Sequence, residues 1–221
     1  MSRFAHTLVA LFAAGAAAGV AAQPISLTAT LTNAQETPPT VPTTAAGAPR
    51  PASFGNATFL INAAHTSMTF TATVFNIDFT GTQTADTFDN LTNAHIHAAA
   101  PPGTATGVVW GFIGNPFNDN NPNDAVVTPF ATGVGGTVSG KWDAPEGNST
   151  TFAAQLGNIL AGHSYINFHT SQFPSGEVRG QILAVTAVPE PQTTALVALG
   201  LGMLAFWTRR RAQPSTRRAP R

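Results

Sequence analysis

The chain has 221 residues, no cysteine and a formal net charge of zero, from ten basic and ten acidic side chains. Most basic residues lie near the two ends, so the stretch from Gln23 to Val188 has three basic and nine acidic residues, a net charge of three minus nine, or −6. The lack of cysteine excludes disulfides, thiol catalysis and cysteine metal ligands, and so few basic residues exclude a surface suited to nucleic acid.

The N-terminal residues have the pattern of a secretory signal peptide. Arg3 precedes an apolar run over residues 8–20, and the small residues Ala21-Ala22 offer a cleavage site. The run is too short to span a membrane stably, and the basic residue stands on the expected side of it. We predict that residues 1–22 are removed on export and that residues 23–188 form a single folded domain.

Apolar and polar residues alternate with a period of two over much of this domain, which predicts half-buried β-strands. The alternating runs cover residues 25–31, 56–61, 68–74, 134–142 and 177–184. A continuous apolar run over 108–113 predicts a central strand that is buried on both faces. Several short strands separated by turn residues favour an all-β fold, an antiparallel β-sandwich or barrel.

One segment has helical rather than strand spacing. Phe152, Leu156 and Ile159 recur at intervals of four and three, after capping residues at 148–150 and before Gly162. These start and stop signals predict one short helix, which would close an end of the β-structure.

Two segments are predicted to be loops. Residues 37–51 contain five prolines and should be extended or mobile, and residues 115–129 are rich in Asn, Asp and Pro. Within the second loop, Asp119-Asn120-Asn121 is similar to the start of a calcium-binding loop. Because Asp124 occupies the position that needs glycine, a polar turn is favoured over a calcium site.

Two histidine-bearing segments form the main candidate site. His95 and His97 are two residues apart and would share one strand face, as would Tyr165, Asn167 and His169 on a second strand. If the two strands are neighbours, three imidazoles converge, which is enough for one zinc or copper ion. The alternatives are histidines that hydrogen-bond loop carbonyls for structural reasons and histidines that face solvent.

Glu177 and Arg179 are also two residues apart and share a strand face. We predict a structural ion pair between them, with a catalytic carboxylate or a substrate clamp as the alternative. Because Arg179 is one of three basic residues in the domain, it could also be the buried partner of another carboxylate. No Gly-x-Ser-x-Gly motif and no prominent acid–base pair favours an enzyme.

The C-terminal residues 189–221 combine three features in order: Pro189-Glu190-Pro191, an apolar stretch over 195–207, and Arg209-Arg210-Arg211. The stretch is near the lower limit for a spanning helix, and the arginines favour the cytoplasmic side, so the preceding domain would lie outside. The combination resembles the PEP-CTERM sorting tail of exported bacterial proteins. The resemblance implies cleavage by an exosortase-type membrane protease, and the alternative is a permanent transmembrane anchor.

Three further stretches carry a family pattern. They are Leu31-Thr32-Asn33-Ala34-Gln35-Glu36-Thr37-Pro38-Pro39, Ala94-His95-Ile96-His97, and residues 160–182 with Gly176-Glu177-Val178-Arg179-Gly180-Gln181 near the end. Together they resemble the CHRD domain, although Ala98 stands where a glycine is usual and 115–129 looks like an insertion. The resemblance implies an immunoglobulin-like β-barrel with a distant likeness to copper-zinc superoxide dismutase, and it implies no assigned activity.

These observations lead to three hypotheses about function. The first is an exported, non-enzymatic protein of the cell surface or extracellular matrix, transiently anchored in the inner membrane by its tail. It would bind an extracellular polysaccharide or a surface protein, or have a structural role. The second is a domain that binds one zinc or copper ion through His95, His97 and His169. The third is a hydrolase of matrix polymers, for which the sequence shows no acid pair.

Overall fold

The computed structural model describes residues 22–185 and, further along the chain, residues 200, 201, 203, 204 and 207. The chain divides into two compact units, Met1–Ala184 and Val185–Arg221. All named strands belong to the first unit, and the five described residues from 200 onward are helical. Among the residues described, no helix has the length and apolar character needed to cross a membrane. The predicted signal peptide up to residue 21, Pro189-Glu190-Pro191 and Arg209-Arg210-Arg211 lie outside the described residues.

The described part of the domain contains ten strands, one α-helix and one 3₁₀ turn. The strands are β1 Ile25–Thr32, β2 Phe54–Ile61, β3 Met68–Phe75, β4 Leu91–Ala98, β5 Val108–Ile113, β6 Val126–Pro129, β7 Gly135–Trp142, β8 Ser164–Thr170, β9 Val178–Gln181 and β10 Leu183–Ala184. The helix α1 is Phe152–Leu160, and the 3₁₀ turn Asn33–Gln35 follows β1 directly.

The strands pair into one antiparallel sheet in the order β5-β4-β8-β9-β1-β2-β3-β7-β6, with β10 paired to β1. The sheet is curled into a half-barrel around one apolar core. The predicted all-β class with one short helix is confirmed. The strands form one sheet rather than two, so the fold is sandwich-like without a second, separately paired sheet.

Aromatic contacts join the two ends of the curled sheet. Phe70 on β3 packs against Phe112 on β5, with ring centroids 4.7 Å apart. Trp110 on β5 stacks on Trp142 on β7 at 5.6 Å. Since β5 lies at one end of the strand order and β7 near the other, these contacts turn the inner faces toward each other and enclose the core.

Strand pairing corrects two of the sequence predictions. Val108–Ile113 is largely buried, as predicted, but β5 pairs only with β4 and so lies at the end of the sheet rather than at its centre. Its free edge is covered because the Asn118 backbone N–H donates to the Gly111 carbonyl. Val126–Pro129 was predicted to be loop but pairs with β7 as the exposed edge strand β6. The sequence did not indicate this strand because its apolar run is short and is preceded by many Asn, Asp and Pro residues.

The helix and the proline-rich segment are held by identifiable side chains. Thr151 is the N-cap of α1, and its hydroxyl accepts from the Ala154 N–H, one residue beyond the predicted capping residues. The proline-rich segment is tied to the turn after β8, where Gln172 Nε2 donates to Thr43 Oγ1 at 2.6 Å. Arg50 donates to the Gln172 side-chain oxygen at 3.0 Å, so this predicted loop has a fixed place beside the candidate site.

Candidate metal centre

Strands β4, β8 and β9 carry a layer of buried polar side chains on one face of the sheet. This polar layer consists of His95, His97, Tyr165, Asn167, His169, Arg179 and Gln181. The alternate residues of β4 and β8, which point to the other face, belong to the apolar core: Ala94, Ile96, Ile166 and Phe168. Every residue of β8 is buried, so both faces of this strand are covered.

The register between β4 and β8 brings the three histidines together. His95 lies opposite Asn167 and His97 lies opposite Tyr165, which leaves His169 beside them on the same face. One ring nitrogen from each histidine lies within 4.8 Å of the other two. The three residues are 2%, 6% and 5% exposed, so the alternative of solvent-facing histidines is wrong.

Two loop carbonyls determine which nitrogen of His97 and His169 carries the proton. His97 Nδ1 lies 2.8 Å from the Thr106 carbonyl oxygen, and His169 Nδ1 lies 2.7 Å from that of Pro174. A carbonyl oxygen can only accept, so both Nδ1 atoms are donors. In the neutral imidazoles each Nε2 therefore has a bare lone pair. A backbone partner on the far nitrogen is also the usual support of a metal-bound histidine.

Burial keeps the three imidazoles neutral at physiological pH. Desolvation lowers the pKa of His95 to about 3 and that of His97 to about 4, and it also lowers the pKa of His169. The two neighbouring imidazoles lower the His95 pKa further. Neutral imidazole is the form that binds a metal ion, so the site is in its ligand form at pH 7.

Asn167 adds a fourth donor atom to the cluster. Its side-chain oxygen lies 3.1 Å from Nε2 of His97 and 3.1 Å from Nε2 of His169. Its amide group also lowers the pKa of Glu36, which requires the NH₂ to face that carboxyl and the oxygen to face the histidines. The lone pairs of Asn167 Oδ1, His97 Nε2 and His169 Nε2 therefore face one another and repel. A cation bound between them would be attracted to all three.

His95 supplies a buried nitrogen that the fold leaves unsatisfied. Its Nδ1 lies 3.1 Å from His169 Nε2, while its Nε2 has no hydrogen-bond partner among the described residues. The Asn115 backbone raises the pKa of His95 without reaching hydrogen-bonding geometry. A Cβ on Gly111 would lie 1.8 Å from the Pro116 carbonyl oxygen and 3.0 Å from the His95 ring, so glycine there allows the close approach of the Pro116 backbone beside the imidazole. This Nε2 lies on the Gly111 side of the ring, so the His95 nitrogen that faces the other two histidines is Nδ1.

The predicted ion pair between Glu177 and Arg179 is wrong. The Glu177 carboxylate instead lies 2.7 Å from Arg50 Nη2 and accepts hydrogen bonds from the hydroxyls of Ser53 and Thr170. Strand spacing could not reveal this partner, because Arg50 is 127 positions away and reaches Glu177 from the proline-rich segment.

Arg179 instead lies against an aromatic ring within the polar layer. Its guanidinium carbon is 3.9 Å from the centroid of the Tyr165 ring, and the His97 ring stacks on Tyr165 at 4.6 Å with an interplanar angle of 6°. Arg179 also acts electrostatically on the buried Glu36, but the two make no ion-pair contact. The alternative prediction, a buried carboxylate partner for Arg179, holds only as a longer-range electrostatic interaction with Glu36.

The sequence analysis did not assign Glu36 or Arg50 to the site. Glu36 is 7% exposed and lies in the first stretch that resembles the CHRD domain, which was the available signal. Arg50 had no motif around it, but it is one of only three basic residues in the domain. A rare cation in a domain with nine acidic residues is a candidate for a buried role.

Glu36 predicts a pH effect on stability. Desolvation raises its pKa from 4.5 to about 7, although Arg179 opposes this. As pH rises above 4.5, the unfolded chain releases this proton before the folded one, so the group's contribution to stability is lost by about pH 7. We expect the stability of Glu36→Gln relative to wild type to be roughly 2–3 kcal/mol greater at pH 8 than at pH 5, since each pKa unit is worth about 1.4 kcal/mol.

Urea unfolding of both proteins at pH 5 and pH 8 checks this expectation. The comparison uses the difference between variant and wild type, because the histidines, with lowered pKa values, change stability in the opposite direction and cancel in that difference. A difference that is the same at both pH values would contradict a raised Glu36 pKa.

The Asp119 side chain has backbone partners within the loop that was predicted to be a polar turn. In the described ranges, the three histidines are the only group of three or more His or acidic side chains placed to share a metal ion. Asp119 Oδ2 accepts from the backbone N–H groups of Asp124 and Ala125, at 3.2 and 2.8 Å. Asp119 therefore organises its own loop.

Comparison with known families identifies two regions of the chain. The CHRD domain family matches residues 27–182, and the PEP-CTERM protein-sorting motif matches residues 187–212. No curated protein and no solved structure gives a significant match. The sorting motif indicates an exported protein that is sorted at the membrane and processed by an exosortase-type enzyme. The chain is therefore an exported member of the CHRD domain family with a PEP-CTERM sorting tail.

Proposed function

We propose that this protein acts at the cell surface or in the extracellular matrix, and that its CHRD domain binds one zinc or copper ion through His95, His97 and His169. Its role would be binding or structural rather than enzymatic. The observation that supports the metal site is the convergence, in a buried position, of the bare Nε2 lone pairs of His97 and His169 with Nδ1 of His95.

The donor set suits zinc or copper better than a harder cation. Imidazole nitrogen binds both of these metals well, whereas calcium and magnesium prefer oxygen ligands. Three histidines leave a fourth position for the Asn167 side-chain oxygen or for water. The carbonyls of Thr106 and Pro174 orient two of the rings before any ion arrives, so binding requires little rearrangement.

Three other buried carboxylates are unsuited to acid–base catalysis. Asp78 accepts from three backbone N–H groups, Glu146 accepts from Trp110, and Glu177 is paired with Arg50. Each of these acids is therefore engaged in holding the fold. A general acid or base needs a carboxyl that is free to exchange a proton with a substrate.

The metal content of the purified protein tests the proposal. We expect about one equivalent of zinc or copper per chain, and we expect His97→Ala to lose it because a three-histidine site cannot hold the ion tightly with two ligands. His65→Ala is the matched control, since His65 lies outside the cluster and its Nε2 is 3.3 Å from the Gln23 carbonyl oxygen. Plasma mass spectrometry of the three proteins gives the answer.

Metal should also stabilise the folded state. At a free metal concentration 100 times Kd the gain is about 2.7 kcal/mol, a rise of roughly 5–10 °C in Tm for a chain of this size. A chelator should reverse this rise in wild type and in His65→Ala. No metal in the wild-type protein and no change in Tm on loading would reject the site and leave the histidines as a structural hydrogen-bonded cluster.

A further inference from the structure

A cavity of about 440 Å³ lies beside Arg179. Strands β4 and β9 flank β8, so His97 and Arg179 approach the Tyr165 ring from opposite sides, and the cavity is on the Arg179 side. Its buried wall includes Glu36, Arg179 and Gln181, and its exposed rim includes Thr37, Pro39 and Pro102. The volume is in the range of pockets that hold small molecules.

Arg179 has a buried charge without an ion-pair partner. The residue is 2% exposed, its Nε has no hydrogen-bond partner in the described part of the chain, and no carboxylate there reaches ion-pair distance. Arg50 shows the contrast, because its guanidinium donates to Glu177, Gln172 and two backbone carbonyls. A buried guanidinium normally needs such an anion, so the cavity beside Arg179 lacks a complementary charge that a ligand can supply.

Glu36 provides the second unsatisfied group in the same cavity. Its Oε1 is buried and accepts no hydrogen bond of ordinary geometry among the described residues, although the Asn167 NH₂ faces this carboxyl. An oxygen of this kind accepts from a hydroxyl or an N–H of a ligand. One wall of the cavity therefore presents a guanidinium without an ion-pair partner and a carboxyl oxygen that can still accept a hydrogen bond.

We infer that this cavity binds a hydroxylated monocarboxylate with the chemistry of a uronic acid, whose carboxylate pairs with Arg179 and whose hydroxyl donates to Glu36. A planar guanidinium matches a planar carboxylate through two parallel hydrogen bonds. The Tyr165 ring holds the guanidinium plane in place. The inference concerns a site separate from the histidines and does not depend on the proposed metal.

The Glu36 carboxyl discriminates among anions. Phosphate and sulfate bring a second negative charge and no hydroxyl chain, so they would meet repulsion from Glu36 without compensation. A neutral sugar could use Glu36 but would leave the Arg179 charge unpaired. A sugar acid satisfies both groups, which is why we choose it over either simpler class.

Calorimetric titration with D-galacturonate tests the inference, using D-galactose and inorganic phosphate as comparison ligands. We expect saturable binding of galacturonate and none of the other two. Arg179→Gln should weaken binding at least tenfold, because it removes a charge-assisted pair. All titrations are run with and without chelator, so the result stands whether or not the histidine site holds a metal.

A rim variant keeps the test valid if Arg179→Gln does not fold. Ala34 is exposed and lies at the cavity, so substitutions there should leave the fold intact. Ala34→Glu adds a negative charge at the entrance and should weaken galacturonate binding several-fold, whereas its isosteric control Ala34→Gln should not.

The outcomes are separable. Binding of a galacturonate trimer as tight as or tighter than that of the monomer would assign the site to an acidic polysaccharide chain, and binding of the monomer alone would assign it to a free sugar acid. The inference is rejected if galacturonate shows no saturable binding, if phosphate or galactose binds equally well, or if Ala34→Glu and Ala34→Gln bind alike.

Discussion

Replacing Arg50 by alanine is expected to lower the free energy of unfolding by about 3–5 kcal/mol, because it leaves the Glu177 charge buried without a cation. For a chain of this size the change corresponds to a fall in Tm of roughly 10 °C. The Glu177 side chain is 0% exposed, and Arg50 is 5% exposed, so water cannot replace the lost partner. Thermal unfolding followed by circular dichroism measures the loss.

The effect of Arg50 should be specific to the buried charge. Adding Glu177→Gln to the Arg50→Ala protein removes that charge, so part of the lost stability should return. The amide oxygen can still accept from one of the two hydroxyls, Ser53 or Thr170, which bond different oxygens of the carboxylate. Lys141→Ala is the matched surface control, since Lys141 forms its pairs with Asp124 and Asp143 on the exposed surface. Equal losses of unfolding free energy for Arg50→Ala and Lys141→Ala would show that the buried Arg50–Glu177 pair stabilises the fold no more than a surface pair does.

Local periodicity was sufficient to predict most strands of this fold. In β2 the burial alternates strictly from Phe54 to Ile61, and in β1 and β3 it nearly does, because one face meets the core and the other meets solvent. The helix was predicted for the same reason, since its apolar residues recur at helical spacing. These features depend on neighbours within a few positions, which is the range that sequence patterns report.

Pairing between distant strands was beyond that range. The run at Val108–Ile113 was correctly predicted to be buried. Its burial comes from core packing of Trp110 and Phe112 and from the loop that covers the free edge, not from a strand on each side. An apolar run records only that water is excluded. It does not record whether a strand or a loop excludes it, so the central position was a wrong inference from a correct observation.

The candidate site was predictable in part. The spacing of His95 and His97 fixed their common face, and the histidine cluster needed only that β4 and β8 be neighbours, as the pairing shows. The groups that decide its chemistry are loop carbonyls at Thr106 and Pro174. Backbone acceptors have no sequence signature, so the protonation of the imidazoles could not be inferred before the loops were placed.

Glu146 is the second residue whose loss should be severe. It is 3% exposed and lies between the end of β7 and the helix. Its Oε2 accepts from the indole N–H of Trp110 and from the Asp143 backbone N–H, both at 3.1 Å. Its Oε1 accepts from the backbone N–H groups of Asn120 and Asn121, at 2.9 and 2.8 Å. The Glu146 carboxylate therefore joins Trp110 in the core to the loop that contains Asn120 and Asn121.

Glu146→Ala is expected to destabilise the domain by about 2–4 kcal/mol, because each buried donor left unpaired costs roughly 1–3 kcal/mol and some of the four can turn to water. Trp110 is fully buried and cannot, so adding Trp110→Phe to Glu146→Ala should cost less than the sum of the single changes. The loop should also loosen, with faster amide hydrogen exchange at Asn120 and Asn121. Unchanged exchange at those two amides, together with strictly additive losses, would show that Glu146 does not connect the core to the loop.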